Sequence, residues 1–293
     1  MNGNTKLLAC RRLAISMALL SIWLGVSTPL SYGAGVWTNE PASASQITDW
    51  GFSTLTGPGW GDEGGSVSIG SDSSAPLSPS TVLQHQFYVG MPAGISPGNT
   101  WYLFPQPSPA VYLGFWWKAS VGFQQHGSNR TKIVFLSDTG GNPLFFYMGG
   151  AQGSSYYIGM QHQNSDICND HLSGYPGICG TWDIPSGATI YPGQWAKIEL
   201  YVKKSTTRTS KDGILRYWVN GVLAREFTTM NFGQNLFSSV PIVPIWGGVG
   251  GTVTTPGTFS YDHMHVSIPS GGASSDQPPG PPAAPTIKNV TAP

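Results

Sequence analysis

The segment Gln194–Lys204, QWAKIELYVKK, alternates without a break. Ala196, Ile198, Leu200 and Val202 fall on one side; Trp195, Lys197, Glu199, Tyr201 and Lys203 fall on the other. A period of two fits a half-buried strand and conflicts with the 3.6-residue repeat of a helix. The segment GILRYWVNG, residues 213–221, repeats the pattern. It sets Leu215, Tyr217 and Val219 against Arg216, Trp218 and Asn220, and its closing Asn220-Gly221 favours a tight hairpin. Runs rich in β-branched and aromatic residues follow the same logic at 111–120, 131–138, 144–150, 155–163 and 258–268. In the last of these, Met264, Val266 and Ile268 are phased opposite to Tyr261, His263 and His265. Trp116 and Trp117 point to opposite faces, so one of them belongs to the core. Asp62 and Glu63 sit in a Gly-rich stretch that reads as irregular. Many short strands with turn signals between them predict an all-β, antiparallel sandwich or jelly roll in a single domain.

The two ends read differently. Lys6, Arg11 and Arg12 precede an apolar run and the small residues SYGAG, the layout of a secretory signal peptide over residues 1–34. Residues 270–293 are rich in Gly, Ser and Pro and read as a linker or disordered tail, which leaves 35–269 for the domain. Three of the 14 basic residues and none of the 14 acidic ones fall in the leader. Eleven basic against fourteen acidic residues give the remainder a net charge of −3, which argues against a nucleic-acid partner. No second long apolar run exists, so no membrane partner is expected after cleavage. The expectation is a secreted protein, periplasmic or extracellular, acting as a monomer. Charged residues make up only 10% and aromatics 12%. That balance suits a surface that meets a hydroxylated polymer through aromatic faces.

The stretch GQWAKIELYVKKSTTRTSKDGILRYWVNGVLAREF resembles the back half of the concanavalin A-like lectin/glucanase jelly roll. There a W-x-x-I/V-E strand leads through DG-x-L-x-x-W-x-(N/D)-G into the next hairpin. YLGFWWKAS, NRTKIVFL and YDHMHVSI resemble the same arrangement in secreted bacterial proteins similar to polysaccharide lyases of that fold. The resemblance spans about residues 110–268 and implies a jelly roll that engages polysaccharide on its concave face. The activity it implies is β-elimination on a uronate-containing glycan. The fold also hosts lectins and glycosidases, so a non-catalytic glycan-binding module is the alternative, and a glycoside hydrolase with an unrecognised carboxylate pair a third. The glucanase E-x-D-x-(x)-E strand is absent. Glu199 stands alone on its strand as a solvated residue beside Lys197, with Asp262 a distant candidate partner. The alginate lyase Q-x-H strand reads Q-H-Q here, and the R-x-E-L-R and Tyr-rich strands have no counterpart.

A lyase needs a group that neutralises the uronate carboxylate and groups that move protons. The catalytic candidates are His162, Tyr147, Tyr201, Arg216 and Glu199. The substrate-binding candidates are Gln161, Gln163, Lys132, Arg130, Trp218 and His171, with Tyr157 nearby. Strand alternation sends Gln161 and Gln163 to one face and His162 to the other, and leaves open which face is the cleft. Arg216, Trp218 and Asn220 share a face that suits a sugar platform. No metal or cofactor is expected: His263 and His265 share a strand face but lack an evident third ligand. The oxygen-rich SDTGGN stretch, 137–142, is the one place that could hold a structural calcium ion, and a hairpin turn explains it equally. Cys168 and Cys179 remain as an even pair in an exported chain. A disulfide between them would stabilise by about 3 kcal/mol in the chain-entropy model.

Overall fold

A computed structural model describes residues 36–141, 143–153, 155–165 and 180–270; for 163–165 and 180–183 it describes the backbone alone. Cys168, His171 and Cys179 lie outside the described residues, as does the side chain of Gln163. Among the described residues, fifteen strands run in chain order: β1 Ala44–Trp50, β2 Trp60–Gly65, β3 Val67–Gly70, β4 Val82–Phe87, β5 Gly98–Ser108, β6 Ala110–Ala119, β7 Arg130–Asp138 and β8 Leu144–Gly149. Then come β9 Tyr156–Ser165, β10 Gly180–Ile190, β11 Ala196–Lys203, β12 Gly213–Val219, β13 Val222–Met230, β14 Phe237–Ile242 and β15 Gly257–Pro269. No helix occurs among the described residues.

The alternating segments form adjacent strands of the first sheet, whose order is β13-β12-β11-β6-β15-β4-β3, with β1 also paired to β15. The second sheet runs β10-β9-β8-β7-β14-β5-β2. Every pairing is antiparallel. Asn220 and Gly221 both take positive φ, 52° and 78°, as a primed two-residue turn between β12 and β13 requires. The inward residues of the two sheets meet in one core. The first sheet contributes Leu113, Phe115, Trp117, Ile198, Leu200, Val202, Leu215 and Tyr217; the second contributes Ile133, Leu136, Phe146, Ile158, Met160 and Val240. Three phenols cross the core. Tyr217 donates to the Ile184 carbonyl at 2.7 Å, Tyr261 to Ile133 at 2.9 Å and Tyr102 to Ile47 at 2.9 Å. Each joins a strand of one sheet to a strand of the other.

Three sequence expectations change. The stretch holding Asp62 and Glu63 is a strand, β2, whose glycines accommodate its pairing with β5. Tyr261 faces the core together with Met264, because a bulge at Asp262–Met264 inserts one residue and reverses the alternation. His263, at φ 55°, is that extra residue. Glu199 is buried, not solvated. It faces away from the inter-sheet core, but the segment Val36–Glu40 covers it: Tyr112 donates to it at 2.6 Å, the Asn39 amide at 3.1 Å, and Lys197 pairs with it at 3.0 Å. Trp37 lies on Gly114, where a Cβ would stand 2.5 Å from the indole.

Candidate active site

The outward positions of β7, β8 and β9 line up in rows. Arg130, Gly149 and Tyr157 form the first; Lys132, Tyr147 and Gly159 the second; Phe135, Phe145 and Gln161 the third. A bulge between Lys132 and Val134 puts Phe135 on the same face as Lys132, although the two are an odd number of residues apart. Two glycines make room for two tyrosines. A Cβ on Gly159 would stand 2.2 Å from Cζ of Tyr147, and one on Gly149 would stand 2.4 Å from Cζ of Tyr157. Each phenol ring thus lies across the glycine of the neighbouring strand, the two rings meeting edge-on at 6.1 Å.

Cations sit on this aromatic floor. The Arg130 guanidinium lies 5.1 Å from the Tyr147 ring. The Lys132 ammonium lies 4.7 Å from the Phe145 ring and 5.6 Å from that of Phe135. Val243 and Ile245 complete the apolar surround. Burial pulls the Lys132 pKa down to about 8, since an apolar floor solvates an ammonium poorly. Gln161 is buried at the end of the third row. The face therefore gathers Arg130, Lys132, Tyr147, Tyr157 and Gln161. The sequence did not single out Phe135, Phe145, Gly149 and Gly159, whose roles depend on cross-strand register.

The other candidates lie elsewhere. His162 points into the core between the sheets, in phase with Ile158 and Met160. Its ring meets Phe232 edge-on at 6.1 Å, and burial, then the nearby Lys204 charge, lowers its pKa to about 3. The apolar phase of Tyr156, Ile158 and Met160 was the signal that His162 turns inward. Tyr201, Arg216, Trp218 and Glu199 are on the outer face of the first sheet, across the sandwich from Gln161. Arg216 is committed to Glu226 at 2.5 Å. At the proposed calcium stretch, Asp138 accepts from the Gly140 amide at 2.9 Å and pairs with Lys204 at 2.6 Å, a turn built on an aspartate.

His263 and His265 are held by protein groups. Asp49 of β1 takes His263 Nδ1 at 2.8 Å and His265 Nδ1 at 3.2 Å, and Glu40 takes His265 Nε2 at 3.1 Å. Burial opposes charge on Asp49, but the two imidazoles outweigh it and hold its pKa at about 2, against 3.8 ordinarily. Burial likewise opposes charge on His265, and Asp49 with Glu40 outweighs it, raising the imidazole above 6.5. The depressed Asp49 contributes stability that is present above pH 3.8 and lost as pH falls through 2. The raised His265 contributes stability that is present below pH 6.5 and lost as pH rises through its elevated value. Urea midpoints should therefore show the cluster's contribution fullest between about pH 4 and 6.5. Asp49→Asn should remove most of the cluster's acid limb; an unchanged limb would contradict the assignment.

Two antiparallel sheets of this order, packed face to face, make the chain a concanavalin A-like jelly roll. No protein-family model matches it, and no curated protein matches it significantly. Solved structures similar to it in fold include polysaccharide lyases. An endo-β-1,4-glucuronan lyase from the fungus Trichoderma reesei is 14% identical with a TM-score of 0.52, over 76% of this chain and 96% of that one. The alginate lyase vAL-1 from Chlorella virus is 13% identical with a TM-score of 0.52, over 76% and 100%. A marine PL-14 alginate lyase from Aplysia kurodai is 12% identical with a TM-score of 0.51, over 76% and 90%.

Proposed function

We propose that this chain is a secreted polysaccharide lyase-like protein acting on a uronate-containing glycan at the outer face of β7, β8 and β9. The observation that carries the reading is the interleaving of two cations, Arg130 and Lys132, with two phenols, Tyr147 and Tyr157, on three adjacent strands. The described outward positions of these strands hold no carboxylate, which disfavours glycoside hydrolysis by a carboxylate pair. β-Elimination fits the set. Lys132 and Arg130 neutralise the uronate carboxylate, so that the proton on the adjacent C5 becomes removable. A phenolate oxygen takes that proton, the C4–O bond breaks as C4=C5 forms, and the phenol so formed returns the proton to the departing oxygen. Gln161 offers its amide to the next sugar. The likeness in fold to lyases that act on alginate and glucuronan supports this substrate class.

The test is to incubate the purified chain with a panel of polyuronates and follow near-ultraviolet absorbance of unsaturated ends. Absorbance that grows with time on one polymer supports the reading. Silence on every polymer overturns the enzymatic form, and retention on a polyuronate column without product would then assign the face to glycan binding.

A further inference from the structure

Four described residues other than glycine adopt positive φ: Phe52, Asn129, Asn220 and His263. Asparagine and, less readily, histidine tolerate the left-handed region; phenylalanine occupies it at a cost. Phe52 and His263 border the same spot, on the opposite sheet from the proposed lyase face. His263 is the bulge residue of β15, and the bulge aims its ring off the strand. Its Nε2 lies 2.6 Å from Oγ of Ser78 and its Nδ1 lies 2.8 Å from Oδ1 of Asp49. Gly51, just before Phe52, brings backbone close to the pair, since a Cβ there would stand 3.1 Å from both Ser78 Oγ and His263 Nε2.

A hydroxyl, an imidazole and a carboxylate thus stand in series, supplied by the loop after β3, by β15 and by β1. His263 and Asp49 have side chains only 5% and 8% exposed, while Ser78 is half-buried and reaches the surface. Ser78 is held by its backbone: its amide donates to Asp262 at 3.1 and 3.2 Å, and its carbonyl accepts from the Thr81 amide at 3.0 Å. These anchors leave Oγ to His263. The second Asp49 oxygen is fixed by His265, which sets the carboxylate plane against the His263 ring. A strained residue, Phe52, and a bulge at His263, both beside a serine–histidine contact, fit a functional site.

We propose that Ser78, His263 and Asp49 form a nucleophilic acyl-transfer site for carboxylic esters. It is independent of the lyase reading. Ser78 Oγ attacks the ester carbonyl carbon as its proton passes to His263 Nε2. The carbon–alkoxy bond breaks and the alkoxide takes that proton. Water then attacks the acyl carbon, giving a proton to His263, and the serine oxygen leaves and regains it. Asp49 acts as a positioning residue, holding the imidazole with Nε2 towards the serine.

The full chain is treated with a fluorophosphonate probe, whose phosphorus bonds to Oγ as fluoride leaves, and separately with p-nitrophenyl acetate. The expected result is one adduct, mapped to Ser78 by peptide mass spectrometry, and ester hydrolysis that falls by about a hundred-fold or more in Ser78→Ala and His263→Asn. Ser78→Ala keeps the backbone bonds to Asp262, and asparagine accepts the left-handed backbone at 263, so thermal unfolding should confirm that both variants fold. Asp49→Asn should slow labelling and Asp49→Glu should restore part of it, because the positioning role needs a carboxylate accepting from His263 Nδ1. The other charges around the ring are Asp262, 3.9 Å from Nε2, and the His265–Glu40 pair beyond Asp49; Lys118 is committed to Asp72. An intact chain without an adduct at Ser78, or labelling at the same rate in His263→Asn, overturns the proposal.

Discussion

Lys132→Ala should lower kcat/KM on a polyuronate by about a hundred-fold or more, the usual scale for removing one group that stabilises developing charge. The size follows from where the ammonium lies. It rests on Phe145 and Phe135, with little water to replace it as a partner for a carboxylate. The same burial sets a pH signature. With its pKa at about 8, Lys132 loses its proton as pH rises through that value, and kcat/KM, which reports the free enzyme, falls with it. Lys132→Arg keeps a cation that does not titrate in this range, so it should retain much of the rate and lose the alkaline fall. A steady-state pH profile of the three proteins checks this. An alkaline limb that persists in Lys132→Arg would assign that limb to another group and remove Lys132 from the proposed role.

Asp138→Ala destabilises the fold by about 3–5 kcal/mol, as expected when one member of a buried ion pair is removed. Asp138 and Lys204 meet at 2.6 Å with side chains 1% and 2% exposed. Burial drives the Lys204 pKa down, and Asp138 is what pulls it back up. Without the carboxylate, the ammonium retains the Phe232 carbonyl at 3.4 Å and the face of Phe237 at 4.5 Å, neither of which replaces a full charge. Lys204→Met alone should also destabilise, because it strands the carboxylate. Asp138→Leu combined with Lys204→Met should recover most of the loss, since an apolar pair of similar volume needs no desolvation. Denaturant midpoints of the three variants read the cycle. A loss below about 1 kcal/mol in the single variants would mean that water reaches the pair.

Much of the fold was legible because the strands of the first sheet are amphipathic: β11 and β12 announce their inward faces in the order of their residues. The phase of β15 was not, because a bulge adds one residue without marking itself in the sequence, and Tyr261 changed sides as a result. Glu199 read as solvated because its cover, Asn39, lies 160 positions away along the chain. Of the candidate site, Arg130, Lys132, Tyr147 and Gln161 were readable as residue types suited to a uronate. That they share one face, and that Tyr201, Arg216 and Trp218 do not, depends on which strands pair, and no local pattern encodes that. Ser78, His263 and Asp49 come from three distant segments, and only the folded chain brings them together.

The phenols of Tyr102, Tyr217 and Tyr261 have a consequence for how the sandwich resists shear. Burial of apolar surface holds two stacked sheets together without regard to direction. A hydrogen bond adds direction, because it weakens steeply as its angle departs far from linear. Each phenol reaches across the core to one carbonyl, and the three anchor points, Ile47, Ile184 and Ile133, lie on β1, β10 and β7. Three such points fix translation and rotation of one sheet over the other. The rows of Lys132, Tyr147 and Gly159 on one surface and the His263–Asp49 contact on the other are thereby held in a common frame, and each is set by strands.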